Sequence, residues 1–329
     1  MKLILATLTI AILFSGCAQK VQIRALQPAQ IARAAETKKI SVVDFSNDRV
    51  NLSGKIEAKI AQSRVDGQSY FTTIGRKDFN QVLDEQKIQN SGLIDPSTAV
   101  QMGHVIGAQA IISGDVSRPS MQDTNFYEKR TKCNKDHCWE VRVYCTRAVA
   151  SLTAEIRMVD TARGDIIYAD TLTKNGSWTH CSDDSRLIPS LSMASQGLAE
   201  DISEEFVSKL APHYVYFNVE LLEDADIDYS DRQKLLLKSS LEYIKANRFD
   251  KAETLLTQLI DSTAERSYVP LYDLGVVKEA QGKYSEAKAL YMKADSLTIK
   301  PVEQINVAIN HIDSTIEQNK QARSQINKK

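Results

Sequence analysis

An apolar run from Leu3 to Phe14 follows a single cation, Lys2, and is closed by Ser15-Gly16-Cys17. That run falls short of the ~20 residues a bilayer-spanning helix needs, so residues 1–16 read as a secretory signal peptide. The remainder of the chain is then expected to fold in an oxidising compartment, where cysteines pair. No later segment is apolar enough to span as a helix. A length of 329 residues suggests one or two domains, each able to bury a core. The formal net charge is −1 and no dense Lys/Arg block stands out, which argues against nucleic acid and anionic lipid surfaces as partners.

The small residues before Cys17 resemble a bacterial lipobox, in which the cysteine is lipidated and becomes the mature N-terminus. Cys17 is therefore the lipidation candidate, and membrane contact is expected through the lipid. Ala18, in place of an acidic residue, implies by the same resemblance an outer-membrane lipoprotein facing the periplasm. One acyl chain gives only marginal binding, at about 0.8 kcal/mol per buried CH2, whereas several chains hold stably. Residues 17–37, rich in Gln and Ala, are expected to act as a tether.

Order begins at Lys39-Ile40-Ser41-Val42-Val43-Asp44-Phe45, a β-branched strand ended by Ser46-Asn47-Asp48. Leu52, Ile56, Ile60 and Val65 then recur at helical spacing. Tyr70 to Ile74 reads as a second strand, and Phe79, Val82 and Leu83 as the stripe of a second helix. Asp95-Pro96 opens a third helix as N-cap and first-turn proline, Gly107 ends it, and Ala110 to Gly114 returns as a strand. Strands alternating with helices give an α/β layer structure.

These residues carry a family resemblance. Val43-Asp44-Phe45, Gly75-Arg76, Phe79-x-x-Val82-Leu83-x-x-Gln86, Ser91-Gly92, Gly107-Ala108, Ile111 to Gly114, Ala154 to Asp160 and Gly164 resemble the curli production assembly/transport (CsgG-type) lipoproteins. The likeness covers roughly residues 38 to 212. It implies a three-layer α/β domain, residues 38–222, and a place among secretion channels or cell-wall synthase activators; fold alone does not choose between these.

Between Phe126 and Cys181 the pattern is one of hairpins. Cys133 and Cys138 bracket a four-residue polar loop, and a hairpin there sets them opposite one another. A following strand, Ala148 to Val159, turns at Thr161 to Gly164 and returns through Thr173; extended backwards, that register sets Cys145 opposite Cys181. The expected disulfides are Cys133–Cys138 and Cys145–Cys181. A zinc site is the alternative, with His137 and His180 each beside a cysteine, but adjacent strand residues point to opposite faces. No metal or other cofactor is expected. A barrel-forming hairpin needs a lipid-facing apolar band of about ten residues per crossing. Charges at Glu128, Lys129, Arg130, Lys132, Lys135, Asp136, Glu140 and Arg142 interrupt any such band.

Leu191, Leu198, Ile202, Phe206 and Leu210 keep helical spacing, Tyr214 to Leu221 is strand-like, and the acidic residues 223–230 read as a linker. From residue 231 the chain turns all-α. Leu271, Leu274-Gly275, Gly282-x-Tyr284, Ala287, Tyr291 and Ala294 match the tetratricopeptide pattern. Tyr243, Asn247-x-Phe249, Ala252 and Leu256 form a weaker copy thirty-five residues upstream. Residues 231–301 are thus expected to form two repeats, with 302–329 a capping helix and tail. Tyr272 and Lys278 are the candidate partner-binding residues, on the inner helix of the repeat groove.

No phosphate-cradling loop, metalloprotease helix or nucleophile elbow is present. Asp183-Asp184 and Asp224-x-Asp226-x-Asp228 read as solvated acidic loops, and His104 and His311 as isolated helix residues. The expectation is a non-enzymatic envelope lipoprotein that binds a protein or peptide segment, with homo-oligomerisation open. The alternative is a ring-forming curli-type export channel or its accessory.

Overall fold

A computed structural model describes residues 19–75 and 93–327. The chain opens with β1 (Lys20–Gln27), α1 (Ala32–Glu36), β2 (Lys39–Val42) and α2 (Leu52–Gln62). Short strands β3 (Arg64–Val65), β4 (Gln68–Ser69) and β5 (Thr72–Ile74) follow, then α3 (Pro96–Ile106) and β6 (Ala110–Val116). Long strands β7 (Ser120–Cys133), β8 (Cys138–Asp160) and β9 (Ile166–Cys181) lead into α4 (Leu191–Ser208) and β10 (His213–Glu220). The last five helices are α5 (Asp231–Lys245), α6 (Phe249–Ser262), α7 (Tyr268–Ala280), α8 (Tyr284–Asp295) and α9 (Glu303–Asn327). They form two units: Gln27–His213 with Gln321–Lys329, and Met1–Leu26 with Tyr214–Lys320.

In the α/β unit, β2 lies between β5 and β6 and runs parallel to both. Ile40, Ser41 and Val42 are all buried, as expected of a strand covered on both faces. β8 pairs antiparallel with β6. Ile111 and Val159, directly opposed, join the cluster under α3, while their neighbours Ile112 and Met158 are buried on the other face, where α4 packs. Helices thus cover both sides, the expected three layers. β7 continues along the same edge of β8 as β6, and β9 takes the opposite edge. Between Val116 and Ser120 one residue more is spent than on β8 between Ala154 and Ser151, a bulge at Pro119, which has no N–H to give the ladder.

Local signals set the helix ends. Asp95 accepts from the N–H groups of Ser97 and Thr98 at 3.0 and 3.1 Å, and hydrogen bonds from both residues hold its carboxyl far below the usual range. Gly107 closes α3 at φ 70°, a left-handed conformation that favours glycine. Leu52, Ile56 and Ile60 form the buried stripe of α2, but Val65 belongs to β3. The strand expected from Tyr70 begins at Thr72, with Tyr70 and Phe71 buried just before it. Phe79, Val82, Leu83 and the signal peptide lie outside the described residues.

The expected tether between residues 17 and 37 is corrected by β1 and α1. Val21, Ile23, Ala25 and Leu26 are buried, and β1 pairs with β10. The acidic segment 223–230, expected as a linker, is irregular and mostly exposed but is pinned at Asp226 and Tyr229. Asp226 accepts hydrogen bonds from the Ser267 hydroxyl and the Tyr268 N–H, capping α7, and Tyr229 is buried. Ser230 and Gln233 then form a capping box at α5.

In the helical unit α5 packs on α6, α6 on α7 and α7 on α8. The α5–α6 and α7–α8 turns are alike. Asn247 and Gly282 take φ values of 55° and 77°, and Arg248 and Lys283 donate their N–H groups to the carbonyls of Tyr243 and Lys278, each at 2.8 Å. Gly275 lies against Tyr291, where a Cβ would come within 2.5 Å of the ring.

Candidate interaction surfaces

The three long strands build the first surface. Their registers set Cys133 opposite Cys138 and Cys145 opposite Cys181, and both pairs are disulfide-bonded with Cα atoms 4.0 Å apart. Cys145–Cys181 is buried with Phe126, Val141 and Val143, whereas Cys133–Cys138 is exposed at the hairpin tip. The zinc alternative is not assembled. His137 stacks on Trp139 with ring centroids 6.2 Å apart, and His180 Nδ1 sits 2.6 Å from the Arg186 carbonyl oxygen. Sequence reasoning missed Glu128, whose carboxylate lies 3.8 Å from both sulfurs of the buried disulfide. Arg130 bridges Glu128 and Asp183, at 2.9 and 2.8 Å. Asp184 pairs with Arg186, whose hydrogen bonds hold its carboxyl down at about 2. The two aspartates are therefore engaged in ion pairs. Tyr127, Trp139 and Tyr144 are exposed here, with Arg142 over the Tyr127 ring at 4.8 Å.

A second feature is a cleft of about 690 Å³ where α1, the end of α3 and the β8–β9 turn meet. Arg33 reaches Asp165 at 3.0 Å and Asp160 at 3.4 Å across it, and His104 and Arg163 are at its rim. Its charges mostly neutralise one another, and among the described lining residues no nucleophile stands beside a base.

In the helical unit the expected groove residues are placed differently from expectation. α7 is buried on nearly all sides, and Tyr272 is 1% exposed with its hydroxyl donating to the Glu220 carbonyl at 2.8 Å. Lys278 is held between Glu253 and Glu286, at 2.8 Å to each. Neither is an open contact residue. The reason is β10, which with β1 covers the face of α7 that was expected to be free. A slot of about 270 Å³ is lined by Phe217, Val219, Tyr272, Val307 and His311 among others.

Beneath that slot lies a polar network that the helical pattern concealed. Glu279 has no exposed surface and accepts from the Tyr291 hydroxyl at 2.7 Å, with His311 Nε2 also at 2.7 Å. Asp273 is fully buried. One of its oxygens accepts the Leu222 N–H at 3.0 Å, the other has no hydrogen-bond partner among the described residues, and burial pushes its carboxyl well above the usual range. An aspartate and a glutamate inside a helix, among apolar neighbours, were the available signals. Cys17 lies outside the described residues.

No curated protein matches the chain. Among solved structures, lipoprotein GNA1162 from Neisseria meningitidis is similar at 16% identity, covering 51% of this chain and 99% of that one, with a TM-score of 0.25. A PelC dodecamer from Paraburkholderia phytofirmans gives 16%, 59%, 100% and 0.24. The C-terminal domain of LpoB from Salmonella enterica gives 12%, 45%, 95% and 0.26. Residues 21–185, just over half of the chain, match the family described as curli production assembly/transport component CsgG. This chain belongs to that family.

Proposed function

We propose that this protein is a lipid-anchored envelope lipoprotein that works by binding, without catalysis, in the assembly of secreted or surface structures or in cell-wall synthase regulation. Membership of an assembly/transport family over residues 21–185 carries the reading. Supporting it are the lipobox-like Phe14-Ser15-Gly16-Cys17 and two disulfides suited to an oxidising compartment. No helix among the described residues is long and apolar enough to cross a membrane. In this reading Cys17 carries the lipid, the protein faces the periplasm from the outer membrane, and an envelope protein or peptide segment is the partner. The helical unit is of tetratricopeptide type, a reading supported by its two equivalent turns thirty-five residues apart. Tyr272 and Lys278 serve partner binding as positioning residues, by fixing α7.

One observation favours the alternative, an oligomeric export channel. At 14, 23 and 16 residues, β7, β8 and β9 each exceed the ~9–11 needed for a membrane crossing. Their charged tip argues against it. Mild-detergent extraction of the lipidated protein, with particle imaging and planar-bilayer conductance, tests both. Small particles without conductance are expected; closed conducting rings overturn the binding reading in favour of the channel. Substituting Cys17→Ser is expected to move the protein from the membrane to the soluble fraction.

A further inference from the structure

β1 is held as a bound peptide is held. Its residues alternate, with Lys20, Gln22 and Arg24 exposed, Val21 and Ile23 turned into the core of the helical unit, and Ala25 buried. A two-stranded sheet alone is at best marginally stable, so this one depends on the helices beneath it. β10 is fixed to those helices independently of β1. The Glu220 carbonyl accepts from Tyr272, the Leu222 N–H is given to Asp273, and Phe217 packs edge-on against His311 of α9 at 5.5 Å. β1 then adds to the edge of β10. The Leu221 N–H donates to the Gln19 carbonyl at 2.9 Å, Lys20 pairs with Glu220 at 2.9 Å, and Arg24 lies over the Tyr214 ring. Main-chain bonds along an edge with alternating side chains in apolar seats are the mode by which sheet edges capture extended segments.

We propose that β10, α7 and α9 form a strand-binding site, and that β1 is its resident ligand rather than part of its framework. The ligand class is an extended peptide with apolar side chains at alternate positions and cationic or polar ones between them. Where Cys17 carries lipid, a consequence that rests on the function proposed above, only Ala18 and Gln19 separate the anchor from Lys20, three residue steps. The lipid then lies within about 11 Å of the clamp, since a chain spans at most ~3.6 Å per residue. No long spacer then stands between the anchor and the strand site.

The test uses the full mature chain with a protease site placed at the exposed Gln30, between β1 and α1. After cleavage and removal of the released segment, a fluorescent synthetic peptide of residues 19–27 is added and its anisotropy followed, with helical content monitored by circular dichroism. Expected are an intact helical signal, saturable uptake by the cleaved protein and little uptake by uncut protein, whose site is filled. A peptide carrying Val21→Asp and Ile23→Asp should bind about a hundredfold more weakly, because its carboxylates would be buried unpaired. Collapse of the helical signal on loss of β1 overturns the proposal by making β1 framework. A folded cleaved protein that takes up no peptide overturns it equally, as does equal uptake by the uncut chain. The result does not depend on lipidation, which the mass of the natural mature N-terminus reports separately.

Discussion

His311 Nε2 lies 2.7 Å from a carboxylate oxygen of Glu279, a side chain with no exposed surface, and so joins α9 to α7 through a buried charge. Burial alone would lower the pKa of the imidazole. The hydrogen bond and charge of Glu279, with the Val307 carbonyl, outweigh burial and leave it above its ordinary 6.5. A histidine whose pKa rises on folding adds stability that is complete below the unfolded value and is lost as pH climbs through the folded one. The helical unit should therefore weaken as pH rises above about 6.5. Thermal unfolding of the wild type and of His311→Gln from about pH 5.5 to about 8.5 checks this; the variant should show the flatter curve.

Asp273 acts in the same direction over a lower window. Its raised pKa means that the folded state prefers the protonated acid, so stability is lost as pH rises from the ordinary aspartate value of 3.8. Asp273→Asn keeps an acceptor for the Leu222 N–H and has no charge to bury. It is expected to be at least as stable as the wild type at neutral pH, and to lose the decline above about pH 4 in denaturant titrations.

Gly275 sits where the Tyr291 ring leaves no room for a Cβ, at 2.5 Å. Helix propensity favours Gly275→Ala by about 1 kcal/mol, whereas overpacking a filled core costs about 1–3 kcal/mol. The clash should dominate, giving a net loss of stability and a lower melting temperature. A net gain would mean that α7 and α8 separate easily.

The two disulfides should differ in worth. Cys145–Cys181 closes a separation of 36 residues and is buried, while Cys133–Cys138 closes 5 at an exposed tip. Replacing the first pair by alanine is expected to cost about 2–4 kcal/mol in denaturant unfolding, and the second pair less, because the constraint on the unfolded chain grows with loop size.

Much of the α/β unit was legible in the sequence because its signals are local. Asp95-Pro96 and Gly107 mark the ends of one helix, and two hairpin turns propagate registers that align four cysteines. β1 was not legible. Val21, Ile23 and Ala25 do alternate, but the strand they pair with, His213–Glu220, is nearly two hundred residues away. The alternation also falls in a Gln- and Ala-rich stretch that reads as spacer. Tyr272 was misplaced for the same reason, since its burial depends on that distant pair of strands.

The sequence by itself determined most element types between residues 39 and 210, the family, the cysteine pairing and the turn that recurs thirty-five residues apart, because helix caps, turns and strand registers are fixed by neighbouring residues. Tertiary structure alone decided what covers α7, that residues 20–26 belong to the helical unit, that Glu279 is buried against Tyr291 and His311, and that Asp273 is buried against the Leu222 N–H. Those outcomes depend on which apolar faces meet across long stretches of chain. Burial and charge pairing follow from that meeting, and a local pattern does not encode it.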